Sequence, residues 1–264
     1  MTRDPDRAAV FVDADNTLWD TDAVFAGAQV ALLGAVESRI GIATAQTDRL
    51  LFVRAIDQAL AERHHAGLRY PPRLLVRATE LALRGAKANE AARAAWNGGE
   101  DYLLPDGDLT TIEEGFLVDL AKAPRIRNGV AEGLHTLKDL GALLLIVTEG
   151  AKVKVQRNAD LLELTSFFDR IIEGRKTSDL YKRILSLIGP RARAFMIGDQ
   201  LDRDIAPAAA AGLETIYFPG GFRPRWTPDE ASVQPDHLIS SFDQVPAIVF
   251  DAASGTAGAR VRDI

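Results

Sequence analysis

The chain has 264 residues, 47% of them hydrophobic and 26% charged, with a formal net charge of −6 and no basic block, so disorder and nucleic-acid binding are not expected. It contains no cysteine, which excludes disulfides, thiol nucleophiles and cysteine-ligated metal sites. The acidic N-terminus and the short apolar runs predict neither export nor membrane insertion, and we therefore expect a cytoplasmic protein.

Short apolar runs rich in β-branched residues predict buried strands along the chain. They occupy residues 8–12, 142–147, 194–197, 215–218 and 237–239. Amphipathic segments between the later runs predict helices at residues 130–140, 152–164, 178–188 and 204–211. This alternation of strands and helices is typical of an α/β protein, in which helices cover a parallel sheet.

The segment 20–123 is different, because it contains amphipathic helical patterns and no convincing strand. Pro71-Pro72, Gly98-Gly99 and residues 105–107 predict turns between its helices. We therefore predict a helical domain at 20–123, inserted after the first strand of an α/β domain made of residues 1–19 and 124–250. Residues 251–264 have little apolar surface to bury and are expected to form a flexible tail.

Residues able to do chemistry stand after three predicted strands and before one predicted helix. They are Asp13, Asp15, Thr148, Glu149, Lys176, Asp199 and Asp204. Taken singly, each also fits an ordinary role in a turn, a helix cap or a solvated surface. In an open parallel sheet, however, ligands bind beyond the carboxyl ends of the strands. Carboxylates gathered there would repel one another unless a divalent cation or a lysine neutralises them. A hard cation with oxygen ligands, together with a hydroxyl and an ammonium, makes a phosphate site.

The order and spacing of these motifs resemble the haloacid dehalogenase superfamily over essentially the whole chain. The motifs are Asp13-x-Asp15-x-Thr17, a threonine at a strand end, a lysine, and Gly198-Asp199-x4-Asp204. The resemblance implies a Rossmann-like, three-layer parallel sheet, with a helical type 1 cap where residues 20–123 stand. It also implies a Mg²⁺-dependent hydrolase that acts on a small phosphorylated metabolite.

The resemblance further implies the reacting groups. Asp13 would be the nucleophile that forms an aspartyl-phosphate, and Asp15 would act as general acid and then general base. Lys176 would neutralise charge on Asp13 and on the transferred group. Arg175 is the alternative for that role, although Lys176 fits the family pattern better through its spacing to Tyr181.

The same resemblance implies the binding groups. Asp13, the main-chain carbonyl of Asp15 and Asp199 would hold Mg²⁺, with Asp204 either a further ligand or an acid beside the ligands. Thr148 and the main-chain amide after it would bind phosphoryl oxygens. That amide belongs to Glu149, which stands where relatives often have Asn, Lys or Gly. We expect the Glu149 side chain to point away from the phosphate.

Asp15 favours phosphoryl transfer over dehalogenation, because carbon–halogen cleavage needs no acid for the leaving group. A 2-haloacid dehalogenase, a mutase and a phosphonate-cleaving enzyme that uses Lys87 or Lys122 are kept as alternatives. So is a non-catalytic binding module on the same scaffold. A Rossmann dinucleotide binder is excluded, because no Gly-x-Gly-x-x-Gly turn follows the first strand.

The cap is expected to choose the substrate. Its arginines Arg63, Arg69 and Arg73 either meet an anionic substrate or lie on a solvated helix face, and the second interpretation is favoured. No nucleic-acid or membrane partner is expected, and the oligomeric state is left open between monomer and homodimer.

Overall fold

The computed structural model of the protein describes residues 7–63, 70–98, 101–189 and 193–251. The described residues form two compact units. One unit runs to Thr21 and resumes at Pro124, and the other comprises Asp22–Ala123. The first unit contains all the described strands, whereas the described elements of the second unit are helices.

The strands lie in the first unit. They are β1 (Ala9–Val12), β2 (Trp19–Asp20), β3 (Arg125–Ile126), β4 (Leu143–Thr148), β5 (Arg170–Glu173), β6 (Ala194–Gly198), β7 (Glu214–Tyr217) and β8 (His237–Leu238). Six of them form one sheet in the order β5-β4-β1-β6-β7-β8, with every neighbouring pair parallel. The remaining pair, β2 and β3, forms an antiparallel ribbon just before and just after the helical unit in sequence.

The helices of the first unit connect these strands. They are α6 (Val130–Asp139), α7 (Lys152–Leu161), α8 (Ser178–Ile188), α9 (Ala206–Ala210), α10 (Glu230–Val233) and α11 (Val245–Asp251). Two separate apolar clusters line the sheet, one containing Val10 and Val12 and the other containing Ala9 and Phe11. Successive side chains of a strand point to opposite faces, so β1 is buried on both sides. The predicted α/β fold is confirmed.

Three local predictions need correction. The edge strand β5 was not predicted, because its sequence Arg-Ile-Ile-Glu has charged ends and is only half-buried. The turn predicted at 105–107 is instead the start of a helix, since Pro105 precedes the first helical residue, Asp106. The helix predicted from Asp204 begins as a π-helical turn, Leu201–Ile205, and continues as α9. The predicted tail lies outside the described residues from position 252 onward.

The second unit is a bundle of helices. They are α1 (Thr21–Ile40), α2 (Arg49–Ala61), α3 (Pro72–Leu83), α4 (Ala88–Trp96) and α5 (Asp106–Leu120). Helix α1 is 20 residues long and, with a mean hydropathy of 1.3, passes a length-and-composition test for a membrane span. Its residues Ala28, Leu32 and Val36 are buried in the apolar core of this unit.

A partly buried ion pair between Glu37 and Arg49 connects α1 to α2. The Glu37 carboxylate accepts hydrogen bonds from the Thr44 amide at 2.8 Å and from the Arg49 guanidinium at 2.6 and 3.1 Å. Burial acts to raise the pKa of Glu37, but the bonds from Arg49 and Thr44 outweigh it and hold the pKa below its ordinary value. The carboxylate form of Glu37 therefore stabilises the folded state.

Glu37→Gln is expected to lower the free energy of unfolding by about 1 kcal/mol at pH 7, because solvent around the partly exposed Arg49 weakens the ion pair. The folded pKa is depressed, so the advantage of Glu37 is complete above its unfolded pKa and disappears as the pH falls through the folded value. Urea unfolding followed by circular dichroism from pH 7 to pH 3 measures this, with the exposed Glu114→Gln as control. A difference that persists unchanged at pH 3 would contradict this account of Glu37.

Candidate active site

Parallel pairing brings the predicted acidic residues together. Val12 of β1 is paired with Ile197 of β6, so the residues that follow these strands meet at the carboxyl edge of the sheet. Carboxylate oxygens of Asp13, Asp199 and Asp204 all lie within 4.8 Å of one another, and all three residues are buried. This arrangement is an acidic cluster with almost no access to solvent.

Lys176 supplies a positive charge to this cluster. Its Nζ donates to Oδ1 of Asp13 and, at 2.5 Å, to Oδ1 of Asp204. The segment before it is aligned by the Gly174 amide, which donates to the Thr148 carbonyl at 2.9 Å. The segment after it is aligned by Thr177, whose hydroxyl accepts from the Leu180 amide and caps α8. Arg175, the alternative for the same role, is exposed.

A glycine allows Asp204 to approach the end of β6. A Cβ atom built on Gly198 would lie 2.3 Å from Cβ and Cγ of Asp204, which no side chain tolerates. The π-helical turn then returns the carboxylate toward the strand, where Asp204 Oδ2 accepts from the Gln200 amide at 2.9 Å. The Gly-Asp-x4-Asp spacing is therefore explained by this close contact.

The cluster is electrostatically unbalanced, because one ammonium faces three carboxylates. Burial raises the pKa of Asp13 to about 7, and the neighbouring Asp204 carboxylate acts in the same direction against the charge of Lys176. Burial also raises the pKa of Asp199 well above its ordinary value, with Asp13 adding to the effect. For Lys176, burial acts to lower the pKa, but Asp13 and Asp204 outweigh it and raise the pKa. A further cation at this position would relieve the excess negative charge.

The donor set fits a hard divalent cation such as Mg²⁺. Asp199 Oδ1 is buried and has no hydrogen-bond partner among the described residues, which is costly unless another group satisfies it. The other available donors, on Asp13 and Asp204, are carboxylate oxygens, the ligands that Mg²⁺ prefers. Asp199 is also tightly enclosed, since a Cβ on Gly220 would lie 2.9 Å from its Oδ2.

Asp15 stands beside the turn that follows β4. Its Oδ1 accepts from the Trp19 indole at 3.0 Å and from the Thr21 hydroxyl at 2.6 Å, which fixes the carboxylate. Its Oδ2 would lie 3.5 Å from a Cβ placed on Gly150, and the Thr148 hydroxyl would lie 3.3 Å from the same point. Asp15, Thr148 and Gly150 therefore border one small space.

Glu149 directs its side chain to the main chain near Lys176. Oε1 of Glu149 accepts from the Lys176 amide at 2.8 Å, and Oε2 accepts from Nη1 of Arg203 at 3.1 Å. Thr148 Oγ1 accepts from the Gly150 amide at 3.0 Å. Its hydroxyl hydrogen is thereby left for another acceptor.

Sequence reasoning missed Arg127. Its guanidinium donates to the carbonyls of Asn16, Phe218 and Pro219, and it lies 3.5 Å from the centre of the Phe218 ring. Burial lowers the pKa of Arg127 from its ordinary value, although the charge of Asp199 opposes this. Arg127 thus connects the loop after Asp15 to the loop after β7. No local sequence signal marks it, because its three acceptors lie about 90 to 110 residues away in the chain.

Two of the three arginines of the predicted cap lie among the described residues, and their partners belong to the same unit. Arg73 bonds to Glu113 at 3.2 Å, and Arg63 bonds to the Asn89 carbonyl at 3.4 Å, both within the helical unit. Arg69 lies outside the described residues. Lys87 and Lys122 are exposed, so neither has the desolvated surroundings that activate a Schiff-base lysine.

Curated relatives match parts of the chain. A glyceraldehyde 3-phosphate phosphatase from Pyrococcus abyssi is 34% identical over 100 residues, which are 35% of this chain and 42% of that protein. A ribulose-1,5-bisphosphate 5-phosphatase from Halopiger xanaduensis is 26% identical over 154 residues, which are 54% of this chain and 64% of that protein. The chain therefore spans less than two thirds of the length of these relatives.

Solved structures share the fold over nearly the whole chain. The HAD-hydrolase YfnB from Bacillus subtilis, bound to magnesium, has a TM-score of 0.60 at 19% identity, with 94% of this chain and 100% of that chain covered. A haloacid dehalogenase-like family hydrolase from Xanthomonas campestris has a TM-score of 0.60 at 20% identity, with coverage of 93% and 95%. Residues 8–212 match the haloacid dehalogenase-like hydrolase family, from the first strand to the end of the Asp204 helix. The chain belongs to the haloacid dehalogenase-like hydrolases.

Proposed function

We propose that the protein hydrolyses a small phosphate monoester through an aspartyl-phosphate formed on Asp13. The observation that carries the proposal is the juxtaposition of Lys176 with the buried carboxylates of Asp13, Asp199 and Asp204, at the strand ends where Asp15 and Thr148 also lie. A buried nucleophile beside a fixed ammonium suits attack on an anionic phosphorus centre. The partly matching relatives named as phosphatases support the same reaction class.

In the first step, an Asp13 oxygen forms a bond to phosphorus and the ester P–O bond breaks. Asp15 gives its proton to the leaving oxygen, which departs as an alcohol. Oδ2 of Asp15 carries this proton, because Oδ1 is already bonded to Trp19 and Thr21. Lys176 stabilises the negative charge on Asp13 and on the transferred group throughout.

In the second step, water attacks phosphorus and the bond to Asp13 breaks. The Asp15 carboxylate takes the water proton, inorganic phosphate is released, and the free Asp13 carboxylate is regenerated. The Thr148 hydroxyl and the amide of Glu149 bind phosphoryl oxygens. The helical unit of residues 22–123 is proposed to select the substrate, and the cytoplasmic location stays a prediction.

Mg²⁺ is the proposed cofactor, held by Asp13, Asp199, Asp204 and the Asp15 carbonyl. When bound, it offsets the repulsion between the nucleophilic carboxylate and the phosphate and polarises the phosphoryl group. The orphaned Asp199 Oδ1 is the strongest support for a metal at this position.

Excess chelator is expected to abolish hydrolysis of p-nitrophenyl phosphate, and added Mg²⁺ to restore it. A lysine alone does not cancel both the cluster and the phosphate dianion. The measurement is steady-state turnover with EDTA and with graded Mg²⁺, and 2-chloropropionate is tested in parallel for chloride release. Full phosphatase activity in chelator would contradict the metal role, and chloride release without phosphatase activity would establish the dehalogenase alternative.

A further inference from the structure

Glu149 is an acidic residue next to the proposed phosphate-binding Thr148, and the partners of its side chain explain how this is tolerated. Glu149 directly follows Thr148, whose hydroxyl is proposed to bind a phosphoryl oxygen. An unpaired carboxylate at this position would repel a phosphate dianion. Instead, the Glu149 carboxylate is divided between the amide of Lys176 and the guanidinium of Arg203.

The two bonds have different consequences. At the end of β4 and β5, the Gly174 amide donates to the Thr148 carbonyl. Two residues after Gly174, the Lys176 amide donates to the Glu149 carboxylate, which fixes the main chain there. The Lys176 side chain extends from this point to the carboxylates of Asp13 and Asp204, so the position of its main chain determines where Nζ lies. Arg203 lies between Asp202 and Asp204 and forms an ion pair with Glu149 at 3.1 Å, with about a third of its side chain exposed (33%).

We propose that Glu149 and Arg203 form a positioning pair, in which Glu149 anchors the main chain of Lys176 and Arg203 neutralises the charge that Glu149 would otherwise present to phosphate. This inference rests on the proposed phosphate-ester hydrolysis. The proposed function uses only the main-chain amide of Glu149, whereas this inference gives the Glu149 side chain and Arg203 functions of their own. The pair joins three segments of the site, those at the ends of β4, β5 and β6.

Substitutions can separate the anchoring role of Glu149 from the neutralising role of Arg203. Glu149→Gln keeps an oxygen acceptor for the Lys176 amide but removes the charge, so its Lys176 amide should exchange as slowly as in wild type and its kcat should lie well above that of Glu149→Ala. Glu149→Ala removes the acceptor, so kcat should fall by about tenfold and the Lys176 amide should exchange faster with solvent. Arg203→Met leaves the Glu149 charge uncompensated, so KM and the Kd for inorganic phosphate should rise by about tenfold with little change in kcat.

The double variant Glu149→Gln/Arg203→Met provides the sharpest readout. Because it removes both charges, it should restore the Kd for inorganic phosphate nearly to the wild-type value, which a general loss of structure would not do. Glu173→Gln is the matched control, since Glu173 also stands at a strand end and accepts from a main-chain amide, that of Lys152, at 2.6 Å. Its kinetics should match wild type.

The experiment measures p-nitrophenyl phosphate kinetics with Mg²⁺, phosphate binding by calorimetry, and exchange of the Lys176 amide by NMR. Wild-type kcat and amide exchange in Glu149→Ala would overturn the anchoring role. An unchanged phosphate Kd in Arg203→Met, or no recovery in the double variant, would overturn the neutralising role. A wild-type protein that binds phosphate but hydrolyses no ester would overturn the proposed function alone, because the binding and exchange readouts still decide the pair.

Discussion

Asp13→Ala is expected to reduce phosphate-ester turnover by at least about 10³-fold, because no covalent phospho-enzyme can form without its carboxylate. Asp13 is buried, and its two carboxylate oxygens accept from Lys176 Nζ and, at 3.3 Å, from the Thr17 hydroxyl, so the orientation of the carboxylate is fixed. The measurement is steady-state hydrolysis of p-nitrophenyl phosphate, together with mass spectrometry of acid-quenched enzyme. Wild-type enzyme should carry a phosphoryl group on Asp13, and the variant should carry none.

Asp202→Ala is the matched control for this experiment. Asp202 is an acidic residue of the same π-helical turn as Asp204, but it is exposed and outside the acidic cluster. Its turnover should stay close to wild type. Activity of Asp13→Ala within about tenfold of wild type, a barrier change near 1.4 kcal/mol, would remove Asp13 from the nucleophile role.

Lys176→Met is expected to lower kcat by about 10²–10³ on every phosphate ester, the range for removing one group that stabilises transition-state charge. Methionine keeps much of the length and apolar stem of lysine, so the loss reports mainly on the ammonium. The same substitution removes the ammonium that bonds to Asp13 and Asp204, in the cluster that also contains Asp199. The variant should therefore also show a larger rise in Tm when Mg²⁺ is added.

Arg175→Met decides between the two basic residues that the sequence offered for this role. Arg175 is exposed, whereas Lys176 is buried against Asp13 and Asp204. Substitution of Arg175 should therefore change kcat little. A larger kcat loss in Arg175→Met than in Lys176→Met would show that Lys176 has been assigned the wrong function.

The sequence was most informative where an apolar run ends in a reactive residue. Asp13 and Asp199 follow short buried runs, and parallel pairing of those runs is enough to bring the two carboxylates together. Strand β5 was missed because an edge strand needs little apolar surface, so Arg170–Glu173 lacks the pattern of a buried strand. The fold class was therefore predictable, but the full strand count was not.

Contacts between distant loops were not predictable in the same way. Arg127 bonds to Asn16 and Pro219, and no spacing in the sequence indicates that these carbonyls converge. The partners of Glu149 are similarly distant, since Lys176 and Arg203 are 27 and 54 residues away. A local pattern identifies a reactive residue, but the tertiary structure determines what holds it in place.

The central position of β1 has a consequence for folding during synthesis. Both sheet partners of β1 come later in the chain, and about 130 residues separate Val12 from the start of β4. At typical translation rates of 5–20 residues per second, the apolar strand waits roughly 6–26 s before its first partner leaves the ribosome. The contiguous unit Asp22–Ala123 is complete during that interval, whereas the sheet is not. The aggregation-prone interval of the nascent chain is therefore set by the length of the helical insertion and ends only when β4 and β6 have been synthesised.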